Sequence, residues 1–238
     1  MDLDGTTFLI TGANRGIGRA LTTAALARGA ARVYATARRP ETLADLTDPR
    51  VVALRLDVRD PASVAAAAAA AADVDVLVNN AGTLASFDVL EASDEALQTD
   101  FGTNVFGLLN MARAFRPVLA ARPRAVMVNV LTLVSVASMP GIGGYAASKA
   151  AAWSLTQALR ATLAADGTRV VGVFPGAVDT DMLRGFEMPK ASPHDVAAAV
   201  LDGLQAEVED IAPDGMSQQV YAQFLADPKA VERQFAAM

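Results

Sequence analysis

Length, composition and charge exclude several classes of protein. The chain has 238 residues, 53% of them hydrophobic, which suffices for one large domain, and its formal net charge of −6 gives no reason to expect a nucleic acid or an anionic membrane as partner. It has no cysteine and one histidine, His194, so disulfides and thiolate metal sites are excluded and we expect no bound metal. No run reaches the ~18 apolar residues that span a bilayer, and residues 1–4 lack the basic start of a signal peptide, so we expect a cytoplasmic protein.

Apolar runs alternate with helix-forming stretches along the chain. The runs are rich in Val, Ile and Leu without alternating polar residues, which is typical of strands buried on both faces of a parallel sheet. They lie at Thr6–Thr11, Arg32–Thr36, Val51–Arg55, Val74–Asn79, Ala125–Leu131 and Val170–Phe174. The stretches long enough for crossover helices are Gly16–Arg28, Pro61–Ala72, Asp100–Ala121 and Tyr145–Ala165. The pattern predicts a doubly wound α/β sheet, and since no linker divides the chain, we expect one domain over residues 1–238.

A glycine-rich turn separates the first predicted strand from the first predicted helix. Residues 11–18 read Thr-Gly-Ala-Asn-Arg-Gly-Ile-Gly. Glycines let the backbone approach a pyrophosphate closely, and the following helix directs free N–H groups and the positive end of its dipole at the phosphates. The spacing alone is a weak signal, and a plain tight turn is the alternative, but the order strand, turn, helix favours a dinucleotide site.

The end of the second predicted strand distinguishes NAD from NADP. Sites for NAD place an acidic residue there, on the ribose 2′-hydroxyl. This chain has Ala37 at that position, followed by Arg38. A guanidinium makes charge-assisted hydrogen bonds to a 2′-phosphate, and no carboxylate is present to repel it. We therefore predict NADP as cofactor, with Arg38 and Arg15 as phosphate ligands; the alternative is that both are solvated surface charges.

Tyr145 and Lys149 are the predicted catalytic pair. They are four residues apart, so they share one face of a helix and the ammonium can stand close to the phenol. A phenol has a pKa of about 10, and a neighbouring cation lowers it. The pair therefore predicts a tyrosine that exchanges a proton with the substrate near neutral pH.

The glycine turn, the Tyr-x-x-x-Lys pair and their separation together resemble the short-chain dehydrogenase/reductase family over essentially the whole chain. Three more segments are similar to family motifs: Asn79–Gly82, Asp57–Val58 and Pro175–Thr180. The resemblance implies that they support the sheet beside the cofactor, meet the adenine and contact the nicotinamide amide, respectively. It also implies that the main chain of Asn104 orders a water molecule on Lys149. The cofactor-binding residues expected from the motifs are Gly12, Asn14, Arg15, Gly16, Ile17, Gly18, Arg38, Asp57, Val58, Asn80, Ala81, Gly82, Tyr145, Lys149, Pro175, Gly176, Val178 and Thr180.

Thr132 departs from the family pattern. The family has a catalytic serine thirteen residues before the tyrosine, and this chain has a threonine there. A threonine hydroxyl donates and accepts the same hydrogen bonds, although its methyl group restricts the rotamer. Ser135 and Ser138 lie at the wrong separation from Tyr145. We expect Thr132 to replace the serine; a disabled site is the alternative.

The resemblance implies a Rossmann-type, three-layer α/β/α fold with about seven parallel strands, and a homodimer or homotetramer built on the two long helices. A lid near residues 182–192 is expected to cover the substrate, and a C-terminal helix is expected near 217–236. The implied function is that of an NADPH-dependent oxidoreductase, such as a ketoreductase, in which Tyr145 exchanges the proton and Thr132 holds the substrate oxygen.

The residues around the expected pocket indicate the character of its substrate. Leu84, Phe87 and residues 133–142 predict a mainly apolar pocket for a small carbonyl or alcohol, whose identity the sequence does not reveal. The alternative function is a non-catalytic, NADPH-binding regulator or scaffold on the same fold.

Overall fold

The computed structural model describes residues 1–238, which form seven β-strands and eight α-helices. The strands are β1 (Thr7–Ile10), β2 (Arg32–Ala37), β3 (Val51–Arg55), β4 (Val76–Asn79), β5 (Val126–Val130), β6 (Arg169–Val173) and β7 (Asp210–Ile211). The helices are α1 (Gly16–Ala27), α2 (Pro61–Ala70), α3 (Asp94–Asp100), α4 (Leu108–Ala120), α5 (Gly143–Ala164), α6 (Pro193–Gln205), α7 (Gly215–Ala226) and α8 (Pro228–Ala236). The first six strands lie within two residues of the predicted runs, whereas β7, with 2 residues, is too short to produce one.

All seven strands run parallel in one sheet, in the order β3-β2-β1-β4-β5-β6-β7. The chain starts in the middle at β1, winds out to β3, crosses back to β4 beside β1 and then winds out to β7. In open α/β sheets, ligands bind in the crevice at the carboxyl ends of the strands where the winding direction reverses, here between β1 and β4. The predicted Rossmann-type fold is confirmed.

Successive residues of the central strands pack into two different hydrophobic cores. Phe8 and Ile10 belong to the core under α1 and α6, whereas Leu9, between them, belongs to the core under α2 and α4. Because both faces of the sheet are covered by helices, apolar residues run continuously along each strand and do not alternate with polar ones. The result is a three-layer α/β/α structure.

The predicted helix Asp100–Ala121 is helical up to Ala120, but its first part is not a regular α-helix. In the structure α3 ends at Asp100, Phe101–Gly107 form a π-helical segment, and α4 begins at Leu108. A Cβ on Gly107 would lie 2.6 Å from a methyl group of Val58, so the glycine lets this segment pack closely on the loop after β3. Short π-helical segments widen a helix locally and are frequent at functional sites.

The C-terminal segment also differs from the expectation of one helix near 217–236. It contains two helices, because Asp227 is extended, with φ −149° and ψ 90°, and the next residue is Pro228. A residue before proline disfavours the helical conformation, and Asp227 instead caps α8 by accepting a hydrogen bond from the N–H of Ala230.

None of the helices combines the length and apolar character required to cross a bilayer.

Candidate active site

The glycine turn between β1 and α1 adopts a conformation that requires its glycines. Gly12 and Gly16 have positive φ values of +66° and +56°. A Cβ on Gly18 would lie 2.4 Å from the carbonyl oxygen of Gly12, so no other residue fits there without a shift of the turn. α1 begins at Gly16, and its first N–H groups have no partner within the helix.

The segment after β4 holds this turn in place. The Asn80 side-chain amide donates to the carbonyl oxygen of Thr11 at 2.8 Å, and the Ala81 N–H donates to the Thr11 hydroxyl at 2.9 Å. Gly82 follows, and a Cβ there would lie 3.5 Å from the Lys149 ammonium nitrogen. The structure therefore brings the Asn79–Gly82 motif between the glycine turn and Lys149.

The end of β2 also lies against the glycine turn. The Ala13 N–H donates to the Thr36 carbonyl oxygen at 2.9 Å, which places Arg38 two residues beyond this contact. Arg38 is exposed and forms no salt bridge, so its guanidinium is available to a ligand. Arg15 is also exposed, and its guanidinium contacts the Asp181 carboxylate at 3.3 Å.

The predicted adenine pair lies between the end of β3 and the π-helical segment. The Asp57 carboxylate accepts the Arg59 N–H at 3.0 Å and so closes the turn after β3. Val58 is buried, and its carbonyl oxygen accepts from the Asn110 side chain at 3.0 Å. The turn is thereby fixed beside α4.

The predicted nicotinamide loop after β6 contacts both the segment after β5 and the glycine turn. The Leu133 N–H donates to the Pro175 carbonyl oxygen at 3.0 Å, which joins this loop to the segment after β5. A Cβ on Gly16 would lie 3.0 Å from the Thr180 methyl group, so Thr180 packs directly on the glycine turn. Val178 forms a parallel bridge with Ala191, which pairs this loop with the C-terminal end of the predicted lid.

Tyr145 and Lys149 lie buried in the first half of α5. The Lys149 ammonium donates to the Val130 carbonyl oxygen at the end of β5, at 2.9 Å. Burial lowers the pKa of Lys149 to about 8, and the Asp100 carboxylate opposes this shift. Burial raises the pKa of Tyr145, and Asp100 raises it further, which is opposite to the direction expected from the Tyr–Lys pair alone.

Asn104 connects the π-helical segment to this pair. Its side-chain amide donates to the Ser148 hydroxyl at 2.9 Å, and Ser148 in turn donates to the Tyr145 carbonyl oxygen at 2.7 Å. A cavity of about 10 Å³, enough for one water molecule, is lined by Asn104, Lys149 and Asn79. The side-chain oxygen of Asn79 is buried and has no hydrogen-bond partner. The water that the family resemblance implies between Asn104 and Lys149 stays a prediction, and this cavity, bounded by both residues, is where it would bind.

Thr132 follows β5 as the N-cap of a short helical turn over Leu133–Ser135. It is half-buried, whereas the Ser135 hydroxyl is buried and donates to the Thr132 carbonyl oxygen at 2.6 Å. Ser138 is exposed. Of the three hydroxyls on this segment, Ser135 is therefore committed to the backbone.

A cleft of about 460 Å³ opens between the start of α1, the lid and the start of α6. It is bordered by Gly16, Thr180, Asp181 and Arg184. Several large apolar side chains of the lid and of the loop after β4 are exposed, namely Phe87, Met182, Phe186 and Met188.

Sequence reasoning missed two residues that the structure places at this site. Asp100 is buried beside Tyr145 and Lys149, and Asp214 accepts the Gly176 N–H at 2.9 Å. Asp214 could be found from its capping pattern, Asp-x-x-Ser at the start of α7. Asp100 carries no such signal, because its partners come from a distant part of the chain.

Comparison with known proteins identifies the family. Residues 6–190 match the short chain dehydrogenase family. The sorbitol dehydrogenase of Cereibacter sphaeroides is 34% identical over 97% of this chain and 93% of its own length. The 3-oxoacyl-[acyl-carrier-protein] reductase FabG of Escherichia coli is 34% identical over 78% of this chain and 79% of its own length.

Solved structures agree with this match. A short chain dehydrogenase from Burkholderia cenocepacia in complex with NADP superposes with a TM-score of 0.93 at 38% identity, covering 99% of both chains. A short chain dehydrogenase/reductase from Burkholderia phymatum in complex with NAD has a TM-score of 0.82 at 26% identity, over 96% of this chain and 93% of its own. The chain belongs to the short-chain dehydrogenase/reductase family of oxidoreductases.

Proposed function

We propose that this family member is an NADPH-dependent oxidoreductase that transfers a hydride between the nicotinamide and the carbonyl or secondary alcohol of a small, mainly apolar substrate. The observation that carries the proposal is the burial of Tyr145 and Lys149 on one face of α5, next to Gly82 and the glycine turn. The Burkholderia cenocepacia relative, solved with NADP, supports the choice of cofactor, although the Burkholderia phymatum relative was solved with NAD.

The residues present fit a dinucleotide with a 2′-phosphate. A side chain on Gly18 would fill the turn that a pyrophosphate must approach, and the start of α1 offers free N–H groups. The exposed Arg38 guanidinium beside the turn suits a phosphate that NAD lacks. Bound in this crevice, NADPH would supply the hydride.

In the reducing direction, the Tyr145 hydroxyl donates its proton to the substrate oxygen, and the Thr132 hydroxyl donates a hydrogen bond to the same oxygen. The Lys149 ammonium stabilises the phenolate that remains, and a water held at Asn104 returns a proton to the site. Burial and the Asp100 charge raise the pKa of Tyr145, so the phenol carries its proton at neutral pH but is a weaker acid than an exposed tyrosine; the Lys149 ammonium would offset this by stabilising the phenolate.

The substrate side of the site is proposed from exposed apolar groups. Phe87 of the loop after β4 is 49% exposed, and Met182 and Phe186 of the lid are 40% and 39% exposed. Burying such side chains against a ligand stabilises the complex by about 25 cal/mol per Å² of apolar surface. We therefore propose that residues 182–192 form the lid over an apolar substrate. We also propose, from the family resemblance, that the protein acts as a homodimer or homotetramer.

The experiment follows NADPH absorbance with a panel of ketones and aldehydes. For any substrate of the wild type, Tyr145→Phe should lower kcat by about a thousandfold and leave NADPH affinity within about twofold, because only the proton donor is lost. Tyr34→Phe is the matched control: the Tyr34 hydroxyl bonds Asp73, and the residue lies outside the site.

Two outcomes would contradict the proposal. Retained turnover in Tyr145→Phe would remove the tyrosine from the chemistry. NADPH binding without turnover on any member of the panel would favour the alternative, a non-catalytic NADPH-binding protein.

A further inference from the structure

Asp100, the last residue of α3, is a fully buried carboxylate that forms no salt bridge; its exposure is 0%. Its hydrogen-bond donors all come from residues 83–86. One oxygen accepts the Thr83 hydroxyl at 2.8 Å and the Ala85 N–H at 3.0 Å. The other accepts the N–H and the hydroxyl of Ser86, at 2.9 and 2.5 Å. Four donors on one buried carboxylate fix the segment that supplies them.

We name residues 83–86, which directly follow the Asn79–Gly82 motif, the anchored loop. Its first residue is also held by Asn104, whose side chain accepts the Thr83 N–H and donates to the Thr83 carbonyl oxygen, each at 3.0 Å. Asn104 is the residue that reaches Ser148 and, through it, the backbone of Tyr145. Asp100 and Asn104 therefore hold the same loop from two sides.

The last residue of the anchored loop touches the start of α5. A Cβ on Gly144 would lie 2.6 Å from the Ser86 hydroxyl oxygen, and the Gly144 N–H donates to the Phe87 carbonyl oxygen at 3.2 Å. Gly144 directly precedes Tyr145. A change in the position of Ser86 would therefore be transmitted to the backbone that carries the phenol.

Asp100 also places a negative charge close to the catalytic pair: its carboxylate accepts the Thr83 hydroxyl, and the preceding residue, Gly82, lies next to the Lys149 ammonium nitrogen. Lys149 is buried, and its ammonium has a carbonyl oxygen as its hydrogen-bond partner, not a carboxylate. Burial lowers the pKa of Lys149 to about 8, and Asp100 is the one group that raises it. Two titratable groups face Lys149: Tyr145 on α5, whose phenol is neutral, and Asp100 on α3. The nearby Arg59 guanidinium packs on Gly102 of the π-helical segment. Removing the Asp100 charge should therefore lower the pKa of Lys149 further, and so reduce the fraction of the ammonium that stabilises the phenolate.

We propose that Asp100 is a positioning residue of the active site, which anchors the loop at residues 83–86 against the start of α5 and places its negative charge on the segment that adjoins Lys149. Its effect on turnover depends on the proposed oxidoreductase function, whereas its effect on Lys149 does not.

The test is the titration of Lys149 by NMR in the full chain labelled with ¹⁵N-lysine. The chain has three lysines, and Lys149→Met identifies the signal of interest. In Asp100→Asn the midpoint of Lys149 should fall by about one pH unit, while the midpoints of Lys190 and Lys229 stay within about 0.2 units. A folded Asp100→Asn variant with an unchanged Lys149 midpoint would overturn the electrostatic role.

Ser86→Ala is the matched control, because it keeps the charge and removes one anchor. Here the Lys149 midpoint should stay at the wild-type value, amide exchange of residues 84–87 should rise about fivefold, and kcat should fall. Unchanged exchange and unchanged kcat would overturn the anchoring role, even if Asp100→Asn does not fold. If the wild type reduces no carbonyl compound, the proposed function fails, but the Lys149 titration and the exchange rates still decide the role of Asp100.

Discussion

In the proposed chemistry, the Thr132 hydroxyl takes the place of the family's serine hydroxyl and donates a hydrogen bond to the substrate oxygen. The only other buried hydroxyl on its segment, that of Ser135, accepts the Thr132 N–H at 3.1 Å and is used within the turn. Thr132 is half-buried and follows β5 at the carboxyl edge of the sheet. The extra methyl group limits its rotamers but leaves the hydroxyl able to donate.

We predict that Thr132→Ser keeps kcat within about threefold of the wild type, whereas Thr132→Val, which has the same shape without the hydroxyl, lowers kcat about a hundredfold. NADPH affinity should change in neither variant. Steady-state kinetics and NADPH fluorescence titration measure both quantities. If Thr132→Val turns over at the wild-type rate, another donor holds the substrate oxygen.

Arg38 should decide the preference for NADPH over NADH. Loss of a charge-assisted hydrogen bond costs about 1.5–3 kcal/mol, so Arg38→Ala should weaken NADPH binding by about tenfold to a hundredfold and NADH binding by less than about twofold. The neighbouring Arg39, also exposed, gives the control Arg39→Ala, which should behave as the wild type. Equal losses for both cofactors in Arg38→Ala would exclude a contact with the 2′-phosphate.

Local signals predicted part of this site, and tertiary contacts supplied the rest. The glycine turn follows from its glycine spacing together with the order strand, turn, helix, and the pair Tyr145–Lys149 follows from its separation of four residues. Asp100 could not be found in this way, since an acid without a cationic neighbour in the sequence is normally a surface residue. Its donors lie 14 to 17 residues away and meet it only after the chain has folded. The raised pKa of Tyr145 likewise depends on burial, which no local pattern gives.

At the scale of elements, the strands were predictable because burial on both faces leaves a continuous apolar run. β3, at Val51–Arg55, matches its predicted bounds, and the other predicted strands differ by two residues at most. The π-helical segment Phe101–Gly107 was not predictable, because its composition suits an ordinary helix and its geometry follows from packing against Val58. The break at Asp227 is predictable from Pro228, because the residue before a proline disfavours the helical conformation.

A buried series of side-chain hydrogen bonds joins β4, β5 and α5 beneath the site. The Asn79 side chain on β4 donates to that of Asn129 on β5 at 2.8 Å, and Asn129 donates to the Thr156 hydroxyl on α5 at 3.0 Å. Thr156 then donates to the Ala152 carbonyl oxygen at 2.8 Å. Buried polar groups are stable only when they are paired, so each member depends on the next.

Thr156→Val should therefore lower the free energy of unfolding by about 1–3 kcal/mol, because the same-shaped side chain leaves the Asn129 amide unpaired. Thr162→Val is the matched control: Thr162 makes the same kind of bond, to the Ala158 carbonyl oxygen at 2.9 Å, but is exposed. We expect that variant to lie within about 0.5 kcal/mol of the wild type. Urea denaturation measures the free energy of unfolding of both variants. Equal values for the two would show that the buried hydrogen bonds do not stabilise α5 on the sheet.

At the scale of the whole molecule, one long face remains uncovered. α5 has 22 residues and packs its inner face on the sheet. Its outer face exposes small side chains at helical spacing: Ala147, Ala150, Ser154, Ala158 and Ala161. Small residues allow two helices to approach closely with little loss of side-chain entropy. This face therefore suits the homodimer or homotetramer that we propose from the family resemblance.

Light scattering of the purified wild type should give the mass of a dimer or tetramer, and Ala158→Glu should reduce it, since a carboxylate at the centre of the face would be buried without a partner in the assembly. Ala66→Glu on the exposed face of α2 is the matched control and should leave the mass unchanged, because it introduces the same charge on another helix. Circular dichroism should show both variants folded. A wild-type monomer would mean that copies of the chain do not associate. An Ala158→Glu variant with the full mass of the wild type would mean that they associate through a surface other than this face of α5.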